Sequence, residues 1–230
     1  MHFKMVIGLR IILGFFCSLM ILSAHAETEE DGAFWLNVNA QGALPVKGLH
    51  WYAEVQPRWR QEGKHFDTSI LRPSLFYAMN DHVSGWVGYA NIRFHPNGQS
   101  AREENRLWQQ FLYKLEPIDR LYVQSRTRLE QRHFEHASDT GHRLRQLFRI
   151  STPVFSSAYS LVFWDEYFIH LNDTDWGANR GFDQNRAFIG VNSKLNSQAS
   201  IEIGYLNQFV NSRNLDKENH IFSTTLNLSF

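Results

Sequence analysis

Apolar and polar residues alternate with a period of two along most of this chain. In the last eleven residues, Phe222, Thr224, Leu226, Leu228 and Phe230 share one phase, and Ser223, Thr225, Asn227 and Ser229 share the other. Such a strand meets something greasy on one side and something wet on the other. Leu49 to Gln61 repeats the pattern at greater length, with Leu49, Trp51, Ala53, Val55, Pro57 and Trp59 against His50, Tyr52, Glu54, Gln56, Arg58 and Arg60. Val83 to Phe94 sets Trp86, Ala90, Ile92 and Phe94 against Tyr89, Asn91 and Arg93. Further strands are predicted over Phe66 to Met79, Glu104 to Leu115, Arg120 to Phe134, His142 to Ser151, Tyr159 to His170, Asp183 to Leu195 and Ala199 to Asn211. Turn signals cut them apart: Asn80-Asp81, Pro96-Asn97-Gly98, Glu116-Pro117-Ile118-Asp119 and Pro153. From Leu49 onward this makes ten strands, and Phe34 to Gly42 would be another. A bacterial single-chain barrel is expected to have an even number, so ten or twelve strands follow.

The connections alternate in character. Those near residues 80, 117, 153 and 197 are short, while those near 98, 138, 176 and 215 are longer and more polar. Short turns on one side and long loops on the other are the habit of outer-membrane barrels, and they put the C-terminus on the turn side. Trp51 and Trp59 stand eight residues apart on one face, or ~26 Å at ~3.3 Å per residue. That matches a lipid-facing band ~25 Å tall bordered by aromatic residues, so both are expected at membrane interfaces. The closing Phe230 resembles the C-terminal signal by which outer-membrane barrels are recognised for assembly.

One set of faces carries charge. Arg126, Arg128, Glu130 and Arg132 share a phase with Tyr122 and Gln124, and Arg143, Arg145 and Arg149 share one on the next strand. Arginine on a lipid face costs ~2–4 kcal/mol near the midplane, so these rows are expected to point into the lumen. Glu54, Glu166 and Glu202 have the phase to join them, as do Arg58 and Arg186. A carboxylate satisfies a buried guanidinium through two parallel hydrogen bonds. The expectation is a lumenal ion-pair network of Glu54, Arg58, Arg126, Arg128, Glu130, Arg132, Arg143, Arg145, Arg149, Glu166, Arg186 and Glu202.

The N-terminus changes the picture. Lys4 and Arg10 precede an apolar run from Ile11 to Leu22, and Ala24-His25-Ala26 is a small-x-small cleavage pattern. Residues 1–26 therefore read as a secretory signal peptide, and residues 27–230 as one barrel domain. The single cysteine, Cys17, leaves with that segment, so no disulfide or thiol chemistry is expected. The chain has 23 basic and 23 acidic residues, which argues against a nucleic-acid partner. Mean hydropathy is negative, as a membrane protein with a polar lumen permits.

Arg128-Leu129-Glu130-Gln131-Arg132, Asp165-Glu166, Gly181-Phe182-Asp183-Gln184-Asn185-Arg186 and Gly204-Tyr205-Leu206-Asn207-Gln208 resemble the pattern of domain-of-unknown-function family 2490. The resemblance spans nearly all of the mature chain. It implies a secreted bacterial barrel of the outer membrane and no particular activity.

Function is less legible than place. The Arg/Glu rows read as structural filling, since small barrels are filled by side chains, or as a passage or site for small anions. An enzyme is the alternative: His136-Ala137-Ser138 resembles the outer-membrane lipid A deacylase site, with His136 as base and Ser138 as nucleophile. A soluble periplasmic β-barrel is a further alternative, although such barrels are more often apolar inside. No cofactor or metal site is expected. Asp173 and Asp175 read as parts of a solvated loop. The expected partners are outer-membrane lipids and, through the C-terminal strand, the barrel-assembly machinery.

Overall fold

The computed structural model describes residues 28–155 and 158–230. The expected signal peptide lies outside the described residues. Eleven strands follow one another: β1 (Thr28–Ala43), β2 (Leu49–Arg60), β3 (His65–Ala78), β4 (Val83–Phe94), β5 (Arg102–Lys114), β6 (Tyr122–Phe134), β7 (Thr140–Val154), β8 (Tyr159–His170), β9 (Gly181–Lys194), β10 (Ala199–Val210) and β11 (Asp216–Ser229). Each strand pairs with its neighbours in the chain, and the sheet closes on itself through β1 and β11. Closure leaves no strand edge with unpaired backbone groups.

The expected count of ten or twelve is corrected to eleven, and so is the expectation of antiparallel pairing throughout. Phe34 to Gly42 is the inner part of a 16-residue strand. An up-and-down chain with an odd number of strands begins and ends in the same direction, so its seam is parallel. Phe34 pairs with Phe222, Val38 with Leu226 and Gln41 with Ser229. Outside the seam, the rings of Phe34 and Phe222 stack 6.0 Å apart. Inside it, Asn37 donates to Thr225 (3.2 Å), Asn39 to Asn227 (2.9 Å) and Gln41 to Ser229 (3.2 Å). Pro153, read from sequence as a turn, lies within β7. That chain reversal begins at Phe155, whose φ is 56°.

The β4–β5 and β8–β9 loops and the start of β1 lie at one end of the barrel, the loop end. The end of β11 lies at the other, the turn end. The expected alternation of short and long connections holds only in part, because residues 115–121 at the turn end outnumber residues 135–139 and 211–215 at the loop end. Along most strands the residues of polar phase face inward. The expectation that every apolar flank faces outward fails at β4. There Ala90 and Ile92 are buried with Ile70 and Trp108, and Trp86 and Phe94 pack against them. Asn91 and Arg93 take the outer face instead, where Arg93 bonds Glu103 of β5. A second apolar cluster, Trp35, Val162, Phe188, Leu206 and Ile221, fills the lumen on the opposite wall. At the β9–β10 contact, Gly190 and Gly204 face each other across the ladder. A Cβ on Gly204 would fall 2.3 Å from the Ile189 carbonyl oxygen and 2.6 Å from the Phe188 ring. The missing side chains let that ring lie flat over the backbone.

Candidate functional site

Polar residues of β5 to β9 meet across the lumen because period two sends alternate side chains to one side. Glu104 accepts hydrogen bonds from Arg106 (2.6 and 2.8 Å) and from Arg132 (2.6 and 3.2 Å). Glu130 accepts from Arg143 (3.0 and 2.7 Å) and Arg145 (2.7 Å), and Arg106 stands 3.7 Å away. Glu166 accepts from Arg145 (2.9 and 3.0 Å) and Arg126 (2.7 Å). Asp183 closes the chain, taking Arg143 at 2.8 Å and facing His170 at 3.3 Å. The result is a continuous line of shared carboxylates across the barrel. Two outlying pairs join Arg72 to Glu54 (2.5 Å) and Arg149 to Glu202.

The network is dry. Glu104 and Phe168 have no exposed surface, and Glu130 and Trp108 keep 1%. The Phe168 ring lies between three guanidiniums, Arg143, Arg145 and Arg186, at 5.1, 4.4 and 4.7 Å. Charges held this way are expensive to desolvate. Shared hydrogen bonds offset most of that cost here, although Arg126 and Arg72 each keep a buried Nε–H without a partner among the described residues. The arrangement forms a plug of side chains in the loop-side part of the lumen.

Three of the twelve residues expected in the network make no ion pair among the described residues. Arg128 donates to Gln110 (2.8 and 2.6 Å) and lies over Trp108 at 4.2 Å. Arg58 donates to Gln56, and Arg186 makes a 3.5 Å contact to Gln184. Both flank the same indole, with Arg58 at 3.6 Å and Arg186 at 4.9 Å from the Trp35 ring centre. Sequence reasoning missed Glu104, Arg106, Arg72 and Asp183. Glu104 and Arg106 are two residues apart on one strand, so the phase that revealed Glu130 would have revealed them too.

Two cavities flank the plug. One of about 330 Å³ runs from mid-barrel toward the turn end, between Trp35, Arg58 and Arg186 at its inner limit and Asn39, Gln124 and Asn227 nearer the mouth. The other, about 490 Å³, lies at the loop end under the β6–β7 and β8–β9 loops. Those loops are stitched together: Asp175 accepts the amides of Ser138 (2.9 Å) and Asp139 (3.3 Å), and its own amide donates to Asp139 (2.8 Å). Asp173 accepts the Arg180 amide at 2.8 Å. Trp176 folds down from this loop onto Phe134 (4.7 Å) and over Arg132 (4.9 Å), lidding the mouth. The candidate catalytic residues lie in this region without meeting. His136 is 3.3 Å from Glu135, Ser138 is held through its backbone, and no hydrogen bond joins the two side chains among the described residues.

On the outer wall, Trp59 packs on Phe34 (5.4 Å) and Phe66 (5.6 Å) near the loop end. Trp51 stacks on Phe230 (6.3 Å) at the turn end, and the Phe230 amide donates to the Gln41 carbonyl at 3.0 Å. Tyr77, Tyr113 and Tyr159 stand on the outer face of the same rim.

Comparison with known proteins places residues 32–219 within the family described as Protein of unknown function (DUF2490). An uncharacterized protein of Methylorubrum extorquens strain AM1 is 37% identical over 221 residues, covering 94% of this chain and 96% of the relative. A solved structure from work on the in-meso crystallization of membrane proteins aligns with 84% of this chain and 81% of its own. Its identity is 12% and its TM-score 0.38, too low to bear on the fold.

Proposed function

This chain belongs to the DUF2490 family, and we propose that it is a lipid-embedded barrel of the bacterial outer membrane, sealed by its ion-pair plug rather than built to conduct. The observation that carries this reading is the inverted distribution of its side chains. Val87, Leu107 and Ile189 are 58%, 54% and 60% exposed on the outer wall, while Glu104, Glu130 and Glu166 are buried inside. Val55, Leu71, Leu75, Phe111, Leu161, Val191 and Ile203 extend the outer apolar surface around the barrel. An apolar surface of that extent, though interrupted by polar pairs, marks contact with lipid or a partner.

Three further features support it. Strands of 12–16 residues exceed the ~9–11 residues that a tilted strand needs to cross the hydrocarbon. Aromatic residues collect at both rims, as they do at membrane interfaces. Polar side chains on the outer wall satisfy one another laterally: Gln109 and Gln131 exchange two 3.2 Å hydrogen bonds, and Asn185 donates to Asp165 at 2.6 Å. Such pairing lowers the cost of placing them in a medium without water. In this reading residues 1–26 direct export, and the β11 strand with Phe230 is presented to the assembly machinery.

The role is then mechanical, a rigid barrel whose lumen passes nothing. Protein refolded into phospholipid vesicles is expected to show heat-modifiable gel mobility, no vesicle swelling in sugars and no steady anion current in a planar bilayer. Swelling or a sustained anion-selective current from the unmodified barrel would remove the sealed-lumen reading.

A further inference from the structure

The cavity at the turn end holds more positive charge than its own carboxylates neutralise. Six arginines and three glutamates line it. Glu54 is taken by Arg72, Glu166 by Arg126 and Arg145, and Glu202 by Arg149. Arg58 and Arg186 remain, both against Trp35, so two like charges sit close together in a partly buried site. Their repulsion is stronger there than in solvent. Each also keeps a buried Nε–H without a partner, as does Arg126 beside them. Buried donors of this kind are normally satisfied. Among the described residues, neither is hydrogen-bonded to a carboxylate of the plug, whose oxygens are shared among other guanidiniums, although Arg186 also touches the Phe168 ring at 4.7 Å.

We infer that this cavity is a binding site for a small organic anion, a carboxylate or phosphate on a hydroxylated body, entering from the turn end. Arg58 and Arg186 receive the anionic group, since guanidinium donors fit carboxylate and phosphate oxygens in pairs. The stacked rings of Trp164 and Phe188, 5.2 Å apart, offer an apolar wall for the body. Nearer the mouth, Asn37 and Asn39 each keep a buried, unpartnered Oδ1 acceptor, placed for ligand hydroxyl groups. A volume of about 330 Å³ lies at the lower end of the range for small-molecule pockets, ~300–1,000 Å³. The site is a dead end, because the plug closes it above. The inference rests on the sealed lumen but not on the membrane.

The test uses the purified mature barrel in detergent, titrated calorimetrically with gluconate, glucose 6-phosphate, inorganic phosphate and uncharged glucose. Tryptophan fluorescence serves as a second readout. Saturable binding of gluconate or glucose 6-phosphate is expected, at least tenfold tighter than glucose or phosphate. The double variant Arg58→Gln/Arg186→Gln is expected to lose at least tenfold in affinity. The variant Arg58→Lys/Arg186→Lys, which keeps both charges but not the paired donors, is expected to bind more weakly than wild type and more tightly than the glutamine pair. Both variants are checked for the wild-type gel shift on heating, and the lysine pair carries the comparison if the glutamine pair fails to fold. The inference is overturned if neither organic anion binds saturably, if glucose or phosphate binds as tightly, or if the glutamine variant binds like wild type. It is also overturned if the folded lysine pair binds as tightly as wild type, since paired guanidinium donors would then play no part. Failure to bind in a barrel that stays impermeable removes only this site, whereas swelling of wild-type vesicles removes the sealed lumen.

Discussion

Glu130→Gln is expected to destabilise the barrel by about 3–5 kcal/mol, the usual cost of breaking a buried ion pair from one side. Glu130 is 1% exposed and serves Arg143 and Arg145 by direct hydrogen bonds, with Arg106 at 3.7 Å. Glutamine keeps the shape and one acceptor oxygen. It removes the charge that three guanidiniums share and adds an amide donor facing them. Arg143 retains Asp183, and Arg145 retains Glu166, so the loss falls on the centre of the plug. Glu62→Gln is the control, since its partner Lys64 lies 2.8 Å away in the exposed β2–β3 turn. Exposed pairs contribute little, and no change is expected there. Urea unfolding and the temperature of the gel-mobility shift report both. A Glu130→Gln barrel as stable as wild type would show that the network does not hold the lumen.

Val55→Arg separates a barrel in lipid from one in water. Val55 lies at the middle of β2, half exposed on the outer wall, beside Val38 of β1 and Leu71 of β3. In a bilayer an outward arginine near the midplane costs ~2–4 kcal/mol. In water an exposed substitution of this kind stays within about 0.5 kcal/mol of wild type. Folding equilibria in phospholipid vesicles are expected to show the larger loss. The same stability for both proteins would point to an outer wall that meets water.

Much of this architecture is readable from period two alone. Val83 to Phe94 and Tyr159 to His170 have the bounds observed for β4 and β8. What local alternation cannot supply is how the sheet closes. Thr28 to Asp31 carry no apolar phase, yet they pair with the start of β11 because closure demands a partner there. Alternation also shows that a strand has two faces without showing which one points inward. In β4 the apolar face turns in because Ile92 and Ala90 pack with Trp108 of β5, while Arg93 finds Glu103 outside. The lumenal arginines were legible because charge on a strand face has few places to go. Their partners were only partly so: Glu130 and Glu166 have the right phase, whereas Asp183 lies beside the register shift between Phe168 and Ile169. Nothing in the sequence marks Trp176 as the lid. Its position follows from the Asp139 and Asp175 loop contacts, which join segments 36 residues apart.

The claim on which the rest depends is that the outer wall meets acyl chains. Single spin labels at Leu71, Leu107 and Ile189, with inward controls at Ile92 and Arg145, test it in refolded vesicles by collision with oxygen dissolved in lipid and with a water-soluble nickel chelate. The outer labels are expected to collide with oxygen and to be shielded from nickel, while the inward controls stay shielded from lipid-borne oxygen. Outer labels relaxed by nickel and not by oxygen would contradict the account.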